Sequence, residues 1–233
     1  MADRDSKDNR HLIDFWSRAY TLSEDDKTSV SEAGPDGWRE MAPSQKLLDA
    51  ASALGQCQKV LDYGCGSAWG AIAAAKSGCP DVTAVELSQG PLDTAAFYSK
   101  IYGTDVKLLK VEPSWLTTLP DQSFDGIICS NVLDVVPPET SAQIICQLAR
   151  ILKVGGSAVI GLNFYMSEEK AKERGINLVD GRKLYVDDVL RLVSFSDDEW
   201  TAMLGRHFKV RRLEHFAWPG EKSETRRLFL LTR

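Results

Sequence analysis

The sequence lacks a long hydrophobic run. No stretch approaches the roughly 18 to 20 apolar residues that a membrane-spanning helix needs, because Lys76 and Lys153 interrupt the best candidates. The first ten residues are almost entirely polar and charged, without the apolar segment of a secretory signal, and we expect a loose tail there. These absences predict a cytoplasmic protein.

Cysteine pairs and an excess of positive charge are also missing. The five cysteines show no CxxC spacing, which disfavours a zinc site or a disulfide framework and predicts reduced thiols. With 28 basic and 33 acidic residues, the formal net charge is -5. No overall positive field therefore attracts nucleic acid or an anionic membrane, although a local basic patch is compatible with this total.

What the sequence does contain, from residue 44 onward, is an alternation of short apolar runs with helical patterns. This alternation is typical of βαβ units wound into a parallel sheet. The strand-like runs are 59–63, 82–87, 106–111, 124–130 and 158–164, followed by 208–218 and 226–232. The last two are joined by a Pro-Gly turn and predict an antiparallel hairpin. We predict one domain over residues 44–233, preceded by a leader at 1–43 and interrupted by a polar insertion at about 165–195.

A glycine-rich turn follows the first predicted strand. The run VLDYGCGSAWG, residues 60–70, places Gly64 and Gly66 where a backbone without side chains lets a ligand approach closely. Glu86 ends the next predicted strand, and a carboxylate there accepts hydrogen bonds from the hydroxyls of an adenosine ribose. Trp69 occupies the third glycine position of the NAD fingerprint GxGxxG, and its bulk disfavours a pyrophosphate. The pattern therefore favours an adenosine cofactor without phosphates.

Three segments in this order resemble class I S-adenosylmethionine-dependent methyltransferases of the type 11-like kind. They are the glycine-rich run, FDGIICSNVL at 124–133 and ILKVGG at 151–156, and the resemblance covers about residues 44–164. It implies an α/β fold with a Rossmann-like, seven-stranded, mainly parallel sheet, helices on both faces and an antiparallel C-terminal hairpin. It also implies S-adenosylmethionine as methyl donor, S-adenosylhomocysteine as product, and no metal.

The resemblance further implies a role for individual donor-site residues. Those expected at the methionine and ribose end are Asp62, Gly64, Cys65, Gly66, Ser130 and Asn131, with Glu86 holding the ribose hydroxyls and Leu87 packed on the adenine. The remaining adenine contacts have two possible alignments, one through Glu112 and Pro113 and the other through Trp115 and Leu116. Asp134 stands where many relatives carry a histidine.

The acceptor side is not marked by any motif. Methyl transfer from a sulfonium is an in-line displacement that depends mainly on alignment, so no catalytic residue is predicted. Candidates for a base or for positioning the acceptor are Tyr20, Asp134, Tyr165, His11, His207 and His215, and for His207 and His215 a structural role is favoured. Phe15, Trp16 and Tyr20 have near-helical spacing, which predicts a helix docked on the sheet or, alternatively, a lid over the donor.

The function predicted first is methylation of a small molecule, with the leader and residues 166–195 forming the acceptor pocket. An RNA or protein methyltransferase is the alternative, based on the basic residues of the terminal hairpin: Lys209, Arg211, Arg212, Arg226, Arg227 and Arg233. A third possibility is a module that binds the donor without turnover, and an NAD oxidoreductase is the weakest. The sequence does not determine the methylated atom or the oligomeric state.

Overall fold

The computed structural model describes residues 2–19, 22–32 and 34–233, which form helices and strands in alternation. The helices are α1 (Ala2–Ala19), α2 (Glu24–Glu32), α3 (Gln45–Ala53), α4 (Trp69–Lys76), α5 (Gln89–Ile101), α6 (Trp115–Thr118), α7 (Pro138–Ile151), α8 (Glu168–Glu173) and α9 (Asp197–Gly205). The strands are β1 (Lys59–Tyr63), β2 (Asp81–Glu86), β3 (Lys107–Lys110), β4 (Phe124–Ser130), β5 (Leu152–Leu162), β6 (Lys183–Val186), β7 (Val189–Val193), β8 (Lys209–Phe216) and β9 (Arg226–Thr232).

Seven strands form one sheet in the order β3-β2-β1-β4-β5-β9-β8. The strands β1 to β5 are parallel, whereas β9 runs antiparallel to both β5 and β8. This arrangement confirms the predicted sheet and its terminal hairpin. The strand order reverses between β1 and β4, and in open α/β sheets ligands bind at the carboxyl ends of strands beside such a reversal.

Helices cover both faces of this sheet because alternate residues of each strand point to opposite sides. On β1, Val60 belongs to the apolar core that contains Leu47 of α3 and Ile72 of α4. The next residue, Leu61, belongs to the core on the other face, which contains Ile145 of α7. The predicted arrangement of helices on both faces is confirmed.

Three local predictions were wrong. The loose tail is instead the beginning of α1, which starts at Ala2. Strand β5 begins at Leu152, six residues before the predicted start, because Gly155 at φ 80° and Gly156 lie within the strand rather than ending a helix. The antiparallel pair β6–β7 was not predicted at all. Its turn is formed by Asp187 and Asp188, both in the left-handed region at φ 52° and 60°, as a tight hairpin turn requires.

The pair β6–β7 supports the leader helix. Leu12 of α1 is buried in the same core as Val189 and Leu190 of β7. The guanidinium of Arg191 lies 4.0 Å from the ring centroid of Phe15, in a cation–π contact. Helix α1 also contacts α5. A Cβ on Gly90 of α5 would overlap the carbonyl oxygen of Ser17, so the glycine permits this close approach.

Replacing Gly90 with alanine is expected to displace α1. Alanine favours a helix over glycine by about 1 kcal/mol, so α5 itself remains formed, while the new methyl group collides with the α1 backbone. We expect limited trypsin digestion to cut after the exposed Arg18 about tenfold faster than in the wild type. Gly205→Ala is the matched control, because a Cβ there meets no atom within 4 Å. Equal cleavage rates for the two variants would contradict this account of α1 docking.

Candidate active site

A cavity of about 680 Å³, here called the main cavity, opens at the carboxyl ends of β1, β2 and β4. Its volume lies within the range of about 300 to 1,000 Å³ that is usual for small-molecule sites. Its wall is formed by α1, the turn after β1, the residues after β2, β3 and β4, one face of α7 and the loop between β8 and β9. The main cavity therefore coincides with the reversal of strand order, where the fold predicts a ligand.

The glycine turn after β1 brings backbone close to this space. Gly64 adopts φ 70° and Gly66 φ 53°, in the left-handed region that glycine enters without steric cost. The amides of Gly64 and Cys65 both donate to the carbonyl of Val85, at 3.0 and 3.1 Å. A Cβ on Gly64 would overlap the side chain of Val132. The turn is thus closed on one side by β2 and on the other by the segment after β4.

Glu86 is held firmly at the end of β2. Its Oε1 accepts a hydrogen bond from the Gly66 amide at 3.1 Å, and its Oε2 accepts one from the Leu87 amide at 3.0 Å. Burial raises the pKa of this carboxyl above its ordinary value, and the amide hydrogen bonds act in the opposite direction. A carboxylate has about four lone-pair sites, so this group keeps acceptor capacity on both oxygens for a ligand in the main cavity.

Asp62 and Cys65 lie deeper in the same wall. Asp62 is only 3% exposed, and its Oδ2 accepts a hydrogen bond from the Ala71 amide at 2.9 Å. Burial raises the pKa of Asp62 to about 7, and the nearby Glu86 carboxylate adds to the increase. Burial also raises the pKa of the Cys65 thiol well above its usual range, so this cysteine is protonated and unreactive near neutral pH.

The high pKa of Asp62 makes stability depend on pH. Between about pH 4 and pH 7 the folded protein holds a proton that the unfolded chain has released, so the contribution of Asp62 falls as pH rises through this window. Asp62→Asn keeps an oxygen for the Ala71 amide and does not ionise. The variant lacks this pH dependence. We therefore expect the difference in unfolding free energy, variant minus wild type, to increase by at most about 1.4 kcal/mol per pH unit from pH 5 to 7. Urea denaturation at several pH values measures this difference, and a constant difference would contradict the assignment.

Ser130 is the last residue of β4 and Asn131 follows it, and both line the main cavity. Asn131 adopts φ 57°, a conformation in which asparagine is enriched, and its amide donates to the carbonyl of Gly161 at 2.8 Å. Its side-chain Oδ1 is buried and has no hydrogen-bond partner among the described residues. A buried acceptor without a partner costs about 1 to 3 kcal/mol, so the site favours a ligand that donates a hydrogen bond there.

Each of the two predicted adenine alignments contributes one residue to the wall of the main cavity. Leu87 and Leu116 both line the main cavity, and so does Pro113. Glu112 is exposed and Trp115 packs against the core, and neither belongs to the wall. The predicted contacts through Glu112 and Trp115 are therefore not supported. In the turn that begins α6, the residues that line the cavity are the other members of the two alignments, Pro113 and Leu116.

Asp134 was predicted on the acceptor side but is fully buried outside the wall of the main cavity. Its Oδ2 accepts a hydrogen bond from the Asn163 amide at 2.5 Å, and its Oδ1 accepts one from the Asn163 side chain at 3.3 Å. Burial raises its pKa to about 6, while these hydrogen bonds and the positive charge of Arg227 act in the opposite direction. Asp134 therefore connects the segment after β4 to the residue that follows β5 and does not line the main cavity.

The three histidine candidates and Tyr165 lie outside the wall of the main cavity. His11 Nδ1 is 3.4 Å from the Asp188 carbonyl, and His215 Nε2 is 2.9 Å from Asp197 Oδ2. His207 is exposed on the surface. These placements are those of structural or surface histidines. Tyr165 lines a second cavity, described below, and Tyr20 lies outside the described residues.

Several wall residues were not identified from the sequence. Thr140, Gln143 and Gln147 line the main cavity at helical spacing on α7, a pattern that could have been read as a polar face following β4. Trp218 also lines the main cavity, opposite Trp16, which the sequence had placed in a docked helix or a lid. No local pattern distinguishes a tryptophan that reaches a distant site from one that packs locally.

Two classes of site are not found in the part of the chain that the structure describes. No group of three or more His, Cys, Asp or Glu side chains is placed to bind a metal ion. No described helix combines the length and the apolar character that crossing a membrane requires.

Comparison with known proteins identifies the central part of the chain. Residues 60–156 match a family model described as a methyltransferase domain. This segment of the chain is thus similar to methyltransferase domains. The predicted resemblance is thus confirmed, and the matched segment includes the glycine turn, Glu86, Ser130 and Asn131.

The chain also resembles curated proteins. It is 32% identical over 99 residues to a ubiquinone biosynthesis O-methyltransferase of Saccharophagus degradans, covering 42% of this chain and 41% of that protein. A protein with the same name from Paracidovorax citrulli is 34% identical over 102 residues, covering 43% of this chain and 42% of the relative. The match thus spans about two fifths of the length of these relatives.

Solved structures extend the similarity of fold to most of the chain. A 1,6-didemethyltoxoflavin-N1-methyltransferase of Burkholderia thailandensis, solved with S-adenosylhomocysteine, superimposes with a TM-score of 0.62 at 22% identity, covering 90% of this chain and 86% of that one. The PH0226 protein of Pyrococcus horikoshii gives a TM-score of 0.62 at 16% identity, covering 91% and 94%. At these identities the comparison concerns the fold alone.

Proposed function

We propose that this protein transfers a methyl group from S-adenosylmethionine to a small-molecule acceptor. The observation that carries the proposal is the carboxylate of Glu86, fixed by two backbone amides beside the glycine turn and inside a cavity large enough for a small molecule. The match to a methyltransferase domain over residues 60–156 supports it.

The residues of the wall fit this donor chemically. Glu86 has acceptor capacity for the two ribose hydroxyls, and the orphaned Oδ1 of Asn131 suits the ammonium group of the methionine portion. Leu87 and Leu116 offer apolar contacts for the adenine. Bound in this way, the donor would supply a methyl group on a positively charged sulfur, ready for in-line displacement.

The chain itself contributes alignment and exclusion of water rather than acid–base chemistry. Among the described residues, no histidine, lysine or arginine lines the main cavity. Its two carboxyl groups, those of Asp62 and Glu86, are both engaged by backbone amides at the donor end. We therefore propose an acceptor whose attacking atom needs no strong protein base, such as an amine, a thiol or an acidic hydroxyl.

A small acceptor suits the shape of the main cavity. Leu12, Ile13 and Trp16 of α1 cover it, together with Val136 of the segment before α7 and Trp218 of the loop between β8 and β9. A roof of this kind limits access by a folded macromolecule. The curated relatives named above are ubiquinone biosynthesis enzymes, and one structural neighbour is named as acting on a toxoflavin precursor, which is consistent with a small acceptor.

The basic hairpin gives little support to the alternative of RNA methylation. Arg226 and Arg227 are buried and face Glu221 and Asp197 respectively. The guanidinium of Arg233 donates to backbone carbonyls. The remaining cations of the hairpin, Lys209, Arg211 and Arg212, are exposed, and Arg212 pairs with Glu214. The six basic residues therefore do not form one exposed positive face.

The proposal is tested first by calorimetric titration of the wild-type protein. We expect S-adenosylmethionine and S-adenosylhomocysteine to bind and NAD to show no binding. Release of S-adenosylhomocysteine is then followed with a panel of amines, thiols and phenols. Absence of adenosyl-ligand binding by well-folded protein would refute the donor assignment, whereas binding without turnover on any acceptor would favour a binding module.

A further inference from the structure

A second cavity, here called the cationic groove, has a volume of about 410 Å³ and lies beyond the end of β5. One side is formed by residues 164–174, which include α8, and the other by the loop 221–225 between β8 and β9. Ala171 fixes α8 in a small apolar cluster with Met166 and Leu178. The groove is therefore lined by a packed helix rather than by a loose segment.

The charge of the groove is positive and is not neutralised locally. Lys170 and Arg174 line it from α8, and Lys222 lines it from the opposite loop. Within the described part of the chain, none of these three forms an ion pair. In contrast, Lys172 on the other side of α8 pairs with Glu168 at 2.9 Å and lies outside the groove. Of the two lysines of α8, the unpaired one is thus the one that lines the groove.

The one acidic side chain in the groove is already neutralised. Glu221 is paired with Arg226, whose Nη2 lies 2.7 Å from Glu221 Oε1 and whose Nε lies 2.9 Å from Oε2. Ser223, Thr225 and Tyr165 add hydroxyl groups to the lining. The groove therefore offers three uncompensated positive charges and several hydrogen-bond donors, a combination suited to a carboxylate or a phosphate.

Arg226 also connects the cationic groove to the main cavity. Its guanidinium lies 3.5 Å from the ring centroid of Trp218, which lines the main cavity. The same guanidinium lies 5.8 Å from the ring centroid of Phe164, which lines the groove. One side chain therefore lies beside an aromatic wall residue of each cavity.

We propose that the cationic groove binds a carboxylate or phosphate group of the methyl acceptor, while the apolar part of the acceptor occupies the main cavity beside Trp218. This inference rests on the proposed methyltransferase function and specifies its substrate class as an anionic small molecule. Trp218 then defines the boundary between the apolar and the charged portions of the acceptor.

The test uses three simple aromatic probes, phenyl phosphate, benzoate and uncharged benzyl alcohol, titrated into protein saturated with S-adenosylhomocysteine. We expect at least one of the two anions to bind at least tenfold more tightly than benzyl alcohol. The variant Lys170→Gln/Arg174→Gln should weaken anion binding at least tenfold and leave benzyl alcohol unaffected. The matched control is Lys209→Gln/Arg211→Gln, which removes the same charge from exposed positions on β8 outside the groove.

The two anions identify the preferred group. Tighter binding of phenyl phosphate would indicate a phosphorylated acceptor, and tighter binding of benzoate a carboxylic acid. Equal binding of anions and benzyl alcohol, or equal loss in the groove and control variants, would overturn the inference. The donor titration separates the two proposals: if S-adenosylhomocysteine binds but the anions do not, only the anionic acceptor is refuted, whereas failure of S-adenosylhomocysteine to bind refutes the donor site itself.

Discussion

Replacing Glu86 with alanine is expected to weaken the binding of S-adenosylhomocysteine by about 100-fold or more. Hydrogen bonds to a charged group contribute about 1.5 to 3 kcal/mol each, and the variant loses two of them if both ribose hydroxyls bind this carboxylate. Each 1.4 kcal/mol corresponds to about a tenfold change in affinity. Titration calorimetry of the purified variant measures the change, and methyl transfer to any acceptor should fall in parallel.

The matched control is Glu112→Ala. It removes the same charge from a residue that was also predicted to contact the donor, but which is exposed and lies outside the wall of the main cavity. We expect its affinity to stay within about twofold of the wild type, since surface substitutions away from special features have small effects. Comparable losses in the two variants would show that the adenosyl ligand does not depend on the fixed carboxylate.

Replacing Gly64 with alanine is expected to damage both the fold and the donor site. At φ 70° an L-residue other than glycine is strained by about 1 to 2 kcal/mol. The new methyl group would also overlap the side chain of Val132, and overpacking typically costs about 1 to 3 kcal/mol. We expect the free energy of unfolding to fall by about 2 to 4 kcal/mol and the affinity for S-adenosylhomocysteine to fall more than tenfold.

A double-mutant cycle separates the two causes. Val132→Ala alone removes the group that a Cβ on Gly64 would meet, and the double variant Gly64→Ala/Val132→Ala relieves the overlap while the backbone strain stays. Urea denaturation should therefore show a smaller loss for Gly64→Ala in the Val132→Ala background than in the wild type. Additive losses would mean that the overlap does not contribute and that backbone conformation alone makes glycine necessary.

The parts of the fold that were predicted correctly depend on short-range patterns. Apolar runs bounded by turn residues located the seven strands of the sheet, because alternate residues of each strand must face one of two apolar cores. The errors occur where the pattern is ambiguous. Gly155 and Gly156 resemble a helix end but lie inside β5, and the pair β6–β7 lies within residues 165–195, which were predicted as a polar insertion.

The sequence by itself located most of the residues that we propose for the donor side. Gly64, Gly66 and Glu86 lie at the ends of adjacent strands, and parallel strands place their carboxyl ends at one edge of the sheet, so their proximity follows from chain order and topology. The same logic located Ser130 and Asn131. For the predicted adenine contacts, only the turn geometry after β3 showed that Pro113 and Leu116 line the main cavity, while Glu112 and Trp115 do not.

Only the tertiary structure decided which distant segments close the main cavity. Trp16 and Trp218, separated by most of the chain, line one cavity, while the acceptor candidate Asp134 is withdrawn into the core and Tyr165 lies in the cationic groove. The docking of α1 depends on the unpredicted strand β7 and on the absence of a side chain at Gly90. Packing between distant segments is set by the sum of many small contacts, and no residue pattern within one segment encodes it.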